Sequence, residues 1–310
     1  MRILAFSDIH NNLNCLDRLL EQVAQESFDC IIIAGDIGSE CIDDFFLKLN
    51  IFSCPIYYVL GNWDSKIRYD RDFGENVFHL HNTVLENSGF YFTGFSGCTT
   101  HWGENDLNHK IMDEQRASLR NKHSKILGQI KRAESKIEKL IKNPKIYVSE
   151  EYLNSNHFVD PYIEKAQLKL DELIYSSEHF EYEAEYEEAM MSARSKVYHD
   201  NRQMIFELIL KTKKENSSFN TKKLIVITHD RFAKLNHYLP WPPLAHVFGH
   251  VHTFNHTYWQ NIHFINVSHL DDTPHEHPLY KPKNLKPVGG NFCLIELNEN
   301  GVKSEKVILV

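Results

Sequence analysis

The 310-residue chain has no uninterrupted apolar run near the roughly 18 residues that a helix needs to cross a bilayer. Its start, Met1-Arg2-Ile3-Leu4-Ala5-Phe6-Ser7-Asp8, lacks the basic segment, long apolar stretch and small-residue cleavage site of a secretory leader. Together these absences predict a cytoplasmic protein with no membrane partner. The six cysteines contain no C-x-x-C pair and several lie within apolar stretches, which predicts reduced, partly buried thiols in place of a disulfide framework. Positive charge is also short: the net charge of −8 offers no general attraction to nucleic acid or anionic membrane. The tract His275-Glu276-His277 lacks the i, i+4 spacing of a metalloprotease helix and is assigned no role. What the chain has in excess is histidine, nineteen in all, and position must decide what they do.

The first hundred residues alternate strand and helix patterns. Ile3 to Ser7, Cys30 to Ala34 and Ile56 to Leu60 are unbroken apolar runs, separated by helix spacing over Leu13 to Glu26 and Ile42 to Leu49. Such runs joined by amphipathic helices predict buried parallel strands in βα units. Polar residues just after each run then fall at the carboxyl ends of the strands, where open α/β sheets place their sites. Val77-Phe78, Val84-Leu85 and Phe90 to Phe95 read as short antiparallel strands. The α/β pattern resumes at Leu224 to Thr228, Ala245 to Phe248, Ile262 to Val267 and Phe292 to Leu297, with Val307 to Val310 as a last strand.

Between these halves the pattern changes. Leu119, His123, Ile126, Ile130, Ala133, Ile137 and Leu140 alternate steps of four and three, the spacing of a coiled-coil seam, and Pro144 is expected to end that helix. A second helical stretch starts near Pro161 and runs, with a break, towards Ile209. Lys110 to Lys145 holds eleven basic and four acidic residues, whereas Glu150 to Glu188 holds twelve acids against two lysines. Opposite charge on the two arms predicts a helical hairpin and neutralises the basic arm as a nucleic-acid grip. The expected domains are therefore 1–101 with 221–310, interrupted by a helical insertion over 102–220. That insertion is either a cap over the substrate entrance or an arm that forms a homodimer.

Five polar clusters follow apolar runs in chain order: Asp8-x-His10, Gly35-Asp36, Gly61-Asn62, His229 and Gly249-His250-x-His252. Singly each is weak, since acids after strands cap helices and Gly-Asp pairs make turns. Together they supply two carboxylates, one amide oxygen and four imidazoles at one end of consecutive strands. Oxygen and nitrogen donors without thiolate suit two borderline divalent metals, Mn first, with Fe, Zn, Ni or Co as alternatives. Two metals about 3.5–4 Å apart supply what phosphate ester hydrolysis needs, a nucleophile at neutral pH and a sink for charge on both reacting oxygens. The glycines before Asp36, Asn62 and His250 are expected to let the backbone turn sharply into a crowded site.

The ordered set D-x-H, G-D, G-N-x-D, H and G-H-x-H resembles the signature of the calcineurin-like metallophosphoesterases, with 28 residues from Asp8 to Asp36 and 26 more to Asn62. The opening Ser-Asp-Ile-His-Asn-Asn-Leu is similar to the compact prokaryotic branch, which usually reads Ser-Asp-x-His-Gly-Asn. The resemblance covers residues 1–101 and 221–270 and implies a four-layer α/β/β/α sandwich carrying the helical insertion. Carried over by position, it implies that Asp8, His10 and His252 hold one metal, that Asn62, His229 and His250 hold the other, and that Asp36 bridges them. It implies an enzyme that hydrolyses a phosphate ester by a metal-bound hydroxide, on a phosphorylated small molecule or nucleotide. A phosphodiester is favoured over a monoester, because it carries less charge. A metal-dependent nuclease is the alternative within enzymes, though net charge disfavours nucleic acid; a non-catalytic protein-binding scaffold is the alternative from another class.

The chain also departs from that pattern. Where many relatives read Gly-Asn-His-Asp, it reads Gly61-Asn62-Trp63-Asp64, so the histidine thought to protonate the leaving oxygen is missing. Trp63 is then either a wall on which a flat substrate group stacks or an apolar plug. His101, in Thr99-Thr100-His101-Trp102, is either the replacement acid or a plain loop histidine. Asn11 either faces the substrate phosphate or caps the following helix.

Overall fold

The structure, a computed structural model, describes residues 1–64, 66–97, 106–142, 161–178, 182–232, 235, 239, 241–267, 269–272, 290–298 and 301–309. Strand β1 (Arg2–Phe6) shows why the apolar runs are unbroken, because both of its faces are covered. Leu4 and Phe6 join a core with Leu16 and Leu19 of α1 (Leu13–Val23) and with Phe45, Phe46 and Leu49 of α2 (Ile42–Leu49). Ile3 and Ala5 point the other way, into a second core. Strands β1, β2 (Cys30–Ala34), β3 (Ile56–Val59) and β4 (Val77–His79) are parallel, and β11 (Asn291–Asn298) and β12 (Gly301–Leu309) extend the sheet antiparallel, in the order β12-β11-β1-β2-β3-β4.

The second core is shared with another six-stranded sheet, in the order β5-β6-β7-β8-β10-β9. Its parallel centre is β6 (Phe90–Phe95), β7 (Leu224–Thr228), β8 (Ala245–Phe248) and β10 (Ile262–Asn266), with β5 (Thr83–Asn87) and β9 (Asn255–Trp259) antiparallel at the edges. Phe92, Ile225, Ile227, Val247 and Ile265 face the first sheet, against Ile32, Ala34, Tyr57 and Val59. Alternate residues Tyr91, Phe95, Leu224, Val226 and Phe264 face outward onto Ile205, Phe206 and Ile209. These three belong to the C-terminal part of α5 (Tyr182–Glu215). Helices, sheet, sheet and helix make the expected four-layer α/β/β/α sandwich.

Two expectations are corrected. Val77–His79 is a parallel strand, paired with β3, and Phe90–Phe95 is antiparallel to Thr83–Asn87, as expected, but parallel to β7 on its other side. The helix expected to Glu26 ends at Val23, the last residue of its buried stripe Cys15, Leu16, Leu19 and Val23.

The chain divides into two compact units, residues 1–109 with 193–310, and residues 110–192. In the second, α3 (Asp106–Lys142) carries the four-three seam. Its Ile130, Ala133, Ile137 and Leu140 pack against Ile163, Ala166, Leu170 and Ile174 of α4 (Pro161–Glu178). Lys122 pairs with Glu185 and Arg116 lies over the Tyr186 ring, so the oppositely charged arms do meet. Exposed pairs of this kind contribute about 0–1 kcal/mol each, and the apolar seam carries the stability. No described helix is long and apolar enough to cross a membrane.

Candidate metal centre

The carboxyl ends of β1, β2, β3, β7 and β8 converge, and the five polar clusters come with them. Asp8, His10 and His252 place one ligand atom each within 4.8 Å of one another, and Asp36, His229 and His250 form a second such group. His252 Nε2 lies 3.1 Å from Asp8 Oδ1 and His250 Nδ1 lies 3.2 Å from His229 Nε2. One carboxylate joins the groups: Asp36 Oδ2 is 3.5 Å from His10 Nε2 and 3.2 Å from His229 Nε2. Its other oxygen, Oδ1, accepts the Trp63 N–H at 2.8 Å, which fixes the carboxylate plane.

Backbone conformation marks the same residues. Asp8, His10, Asp36, His250 and His252 all have φ between 51° and 69°, the left-handed region that side chains seldom occupy. Strain repeated at five positions of one pocket is characteristic of functional sites. The glycines act differently from expectation. Gly35 does turn, at φ 88°, but Gly61 and Gly249 have no positive φ. Their role is space: a Cβ on Gly61 would sit 2.2 Å from Asp36 Oδ1, and one on Gly249 2.7 Å from Asp8 Oδ2.

The donor chemistry fits a pair of divalent cations. The Asn62 Oδ1 is buried and has no hydrogen-bond partner among the described residues, an acceptor in want of a cation. His229 Nδ1 is 2.8 Å from the Ala34 carbonyl, which can only accept, so Nδ1 carries a proton and Nε2 is the atom turned to Asp36. Protonation shows the same demand for positive charge. Burial pushes the Asp36 carboxyl up, but His229, His10 and the Trp63 N–H outweigh it and hold it far below the ordinary carboxylate range. Burial also raises Asp8, and the hydrogen bond from His252 with the charge of His229 brings it below its usual value. Burial lowers His10, yet its hydrogen bonds to Asp271 and Asp36 and the charge of Asp8 push it up to about 9.

Other residues are placed as follows. Trp63 packs its ring on His10, centroids 4.5 Å apart, and stays 42% exposed. The Asn11 Oδ1 accepts from the backbone N–H of Glu40 and Cys41 at 3.0 and 3.3 Å, tying the β1 loop to the start of α2. Asn12, not Asn11, caps α1 through the Cys15 N–H. His101 and the tract 275–277 lie outside the described residues. A third cluster, Cys15 with Asp271 and Asp272, is already served by a cation, since Arg18 reaches Cys15 Sγ at 2.9 Å and Asp272 Oδ2 at 2.6 Å.

Asp64, fourth in the third block, is the least expected part. Its Oδ2 accepts from Asp36 N at 2.8 Å and Gly61 N at 2.7 Å, and its Oδ1 accepts from Gly38 N at 2.7 Å. One buried carboxylate thus clamps the loops after β2 and β3. Burial and the nearby Asp36 charge raise it to about 6. Asp64→Ala strands three backbone donors at roughly 1–3 kcal/mol each, partly offset by entering water. The variant is expected to lose about 3–5 kcal/mol in urea unfolding and to bind metal more weakly in calorimetry; wild-type values in both would show the clamp to be dispensable.

A two-sheet sandwich with His and Asp clusters at its strand ends is the arrangement that the resemblance to the metallophosphoesterases implies. More particularly, residues 1–144 match the family model of the calcineurin-like phosphoesterase superfamily domain. No curated protein matches it. Among solved structures it is similar to a conserved predicted phosphoesterase from Streptococcus pneumoniae TIGR4, at 10% identity and TM-score 0.36 over 99% of this chain and 88% of that one. It is similar also to the phosphopantetheinyl hydrolase of Mycobacterium tuberculosis, at 12% and 0.34 over 86% and 88%. A third is vacuolar protein sorting 29 of Cryptosporidium parvum, at 12% and 0.34 over 100% and 98%.

Proposed function

We propose that the chain is a dinuclear metal-dependent phosphoesterase that hydrolyses a phosphodiester. The observation that carries this reading is Asp36, whose carboxylate lies within 3.5 Å of a histidine in each ligand group. In this reading Asp8, His10 and His252 hold one ion, Asn62, His229 and His250 hold the second, and Asp36 holds both. The ions, when bound, supply a nucleophile at neutral pH and neutralise charge on the phosphate. The residues' own work is to fix those ions: His229 is locked by Ala34, Asp36 by the Trp63 N–H, and the loops by Asp64. The unit formed by 110–192 is read as an accessory arm that selects substrate or partner. The test is metal analysis of purified protein followed by assay on bis-aryl phosphate, aryl phosphate, cyclic nucleotides and single-stranded DNA. Two ions per chain with highest activity on the diester support the reading, whereas metal-free protein that stays inactive after reconstitution overturns it.

Position 63 sets the expected chemistry of product release. Without a histidine there, the leaving oxygen departs largely unprotonated, and rate should fall steeply as leaving-group pKa rises. A positioned acid is typically worth about 10²–10⁴-fold. Restoring one is not a matter of one substitution, because both oxygens of Asp64 are committed to backbone N–H groups and are not free to orient an imidazole at 63. Trp63→His is therefore expected to gain less than about tenfold on poor leaving groups, short of what a positioned acid provides. The check is kcat/KM across aryl diesters of graded leaving-group pKa; a flat wild-type dependence would mean that another group already donates the proton.

A further inference from the structure

His10 is tied at its far nitrogen to a residue from the other end of the chain. Its Nδ1 lies 3.2 Å from Asp271 Oδ2, with both side chains only 2% exposed, while its Nε2 faces Asp36 and Asp8. Asp271 is itself held in place. Its backbone N–H donates to the Asp8 carbonyl at 3.0 Å, as Leu270 N–H does to Ser7 at 2.8 Å, so this segment lies along the end of β1. Its second oxygen, Oδ1, accepts from Asn12 Nδ2 at 2.7 Å. Asn12 is anchored in turn as the cap of α1.

We propose that Asp271 is the positioning residue of the first ligand group, holding His10 with its proton on Nδ1 and its Nε2 lone pair turned to the ion. The inference rests on the metal-dependent reading above. A carboxylate can only accept, so the proton between it and His10 belongs to the imidazole, and a carboxylate partner makes the opposite nitrogen a stronger ligand than a carbonyl partner would. His229 shows the other solution, with the Ala34 carbonyl in that place. The two sites thus differ in ligand basicity, and the difference is set by a residue that touches neither ion.

Asn12 makes the proposal unusually testable. Because its amide donates to Asp271 Oδ1, an asparagine at 271 keeps its carbonyl oxygen on Asn12 and turns its NH₂ towards His10. Nδ1 must then accept, and the proton moves to Nε2, on the ion's side. Asp271→Ala merely removes the restraint. We therefore expect zinc titration of the metal-free protein by calorimetry to show one of two sites weakened about 10–100-fold in Asp271→Asn, and less in Asp271→Ala. A purely structural role would give the reverse order, since asparagine conserves shape. Nitrogen NMR of the zinc-loaded wild type should show His10 bound through Nε2 with its proton on Nδ1. The exchanged pair Asn12→Asp with Asp271→Asn restores an acceptor for Nδ1 and should recover most of the lost affinity, which also separates tautomer from misfolding. Equal binding by wild type and Asp271→Asn, alanine weaker than asparagine, or no recovery in the exchanged pair overturns the proposal while leaving the metal reading intact. Failure of the wild type to bind zinc at all overturns both.

Discussion

Asp36→Ala is expected to abolish phosphodiester hydrolysis, by at least about 10³-fold, and to reduce bound metal from two ions per chain to one or fewer. Removal of a group that stabilises reacting charge commonly costs about 10²–10³, and here the same change also unties the two ligand groups. Asp36 Oδ2 is the atom near both His10 and His229, so neither neighbouring acid can replace it. The fold should survive. The carboxylate's one backbone partner is the Trp63 N–H, a loss of roughly 1–3 kcal/mol, and circular dichroism should stay near wild type. Asp36→Asn keeps that acceptor but not the charge, and so separates local packing from metal binding. Full activity of Asp36→Ala at ordinary metal concentration would sink the dinuclear reading.

Where the sequence was legible, the reason is local. The strand ends at Phe6, Ala34, Val59, Thr228 and Phe248 are marked by apolar runs, and the polar residues after them fall in one pocket because parallel strands share a carboxyl end. Helix α2 was legible to the residue, because Ile42, Phe45, Phe46 and Leu49 form its buried stripe. What was not legible depends on partners far along the chain. Strand β6 is antiparallel to β5, as adjacent short pieces suggest, but parallel to β7, more than 100 residues later, and that pairing has no local mark in the sequence. Asp271 sits 261 residues from His10 in an unremarkable Ser-His-Leu-Asp-Asp stretch. Asp64 was visible as a motif letter but not as a clamp, since its three partners are backbone N–H groups that no side-chain pattern encodes.

Away from the metal centre, three buried histidines should make the metal-free protein acid-labile. His246, in β8, is fully buried; the Thr228 hydroxyl donates to the Asp230 carbonyl and so accepts from His246 Nε2, leaving Nδ1 without a partner among the described residues. Burial, with the Arg231 charge, lowers it to about 3. His79 donates from Nδ1 to the Tyr69 carbonyl and accepts the Ser96 hydroxyl on Nε2, while His81 Nδ1 accepts the Ser96 N–H. Burial lowers both to about 4, His81 with help from His79. Each imidazole is thus folded in its neutral form, and each would have to give up an accepted hydrogen bond or bury a bare cation to take a proton. Their unfolded value is 6.5, so between about pH 6.5 and 4 the unfolded chain binds more protons and stability falls as pH falls. Three such groups give a slope of roughly 4 kcal/mol per pH unit near pH 5, large against a total of about 5–15 kcal/mol. His10 and Asp64 work in the opposite sense. His10, raised to about 9 without metal, contributes stability that is lost as pH rises from 6.5 through 9. Asp64, raised from 3.8 to about 6, contributes stability that is lost as pH rises from 3.8 through 6, and so offsets about one histidine's share of the slope near pH 5. Urea unfolding in the presence of chelator should accordingly show a maximum near neutrality and a fall towards pH 5, and His246→Leu should flatten that fall by about half. An unchanged midpoint from pH 7.5 to 5 would mean that these histidines are hydrated, and the sheet packing around β8 and β4 would have to be redrawn.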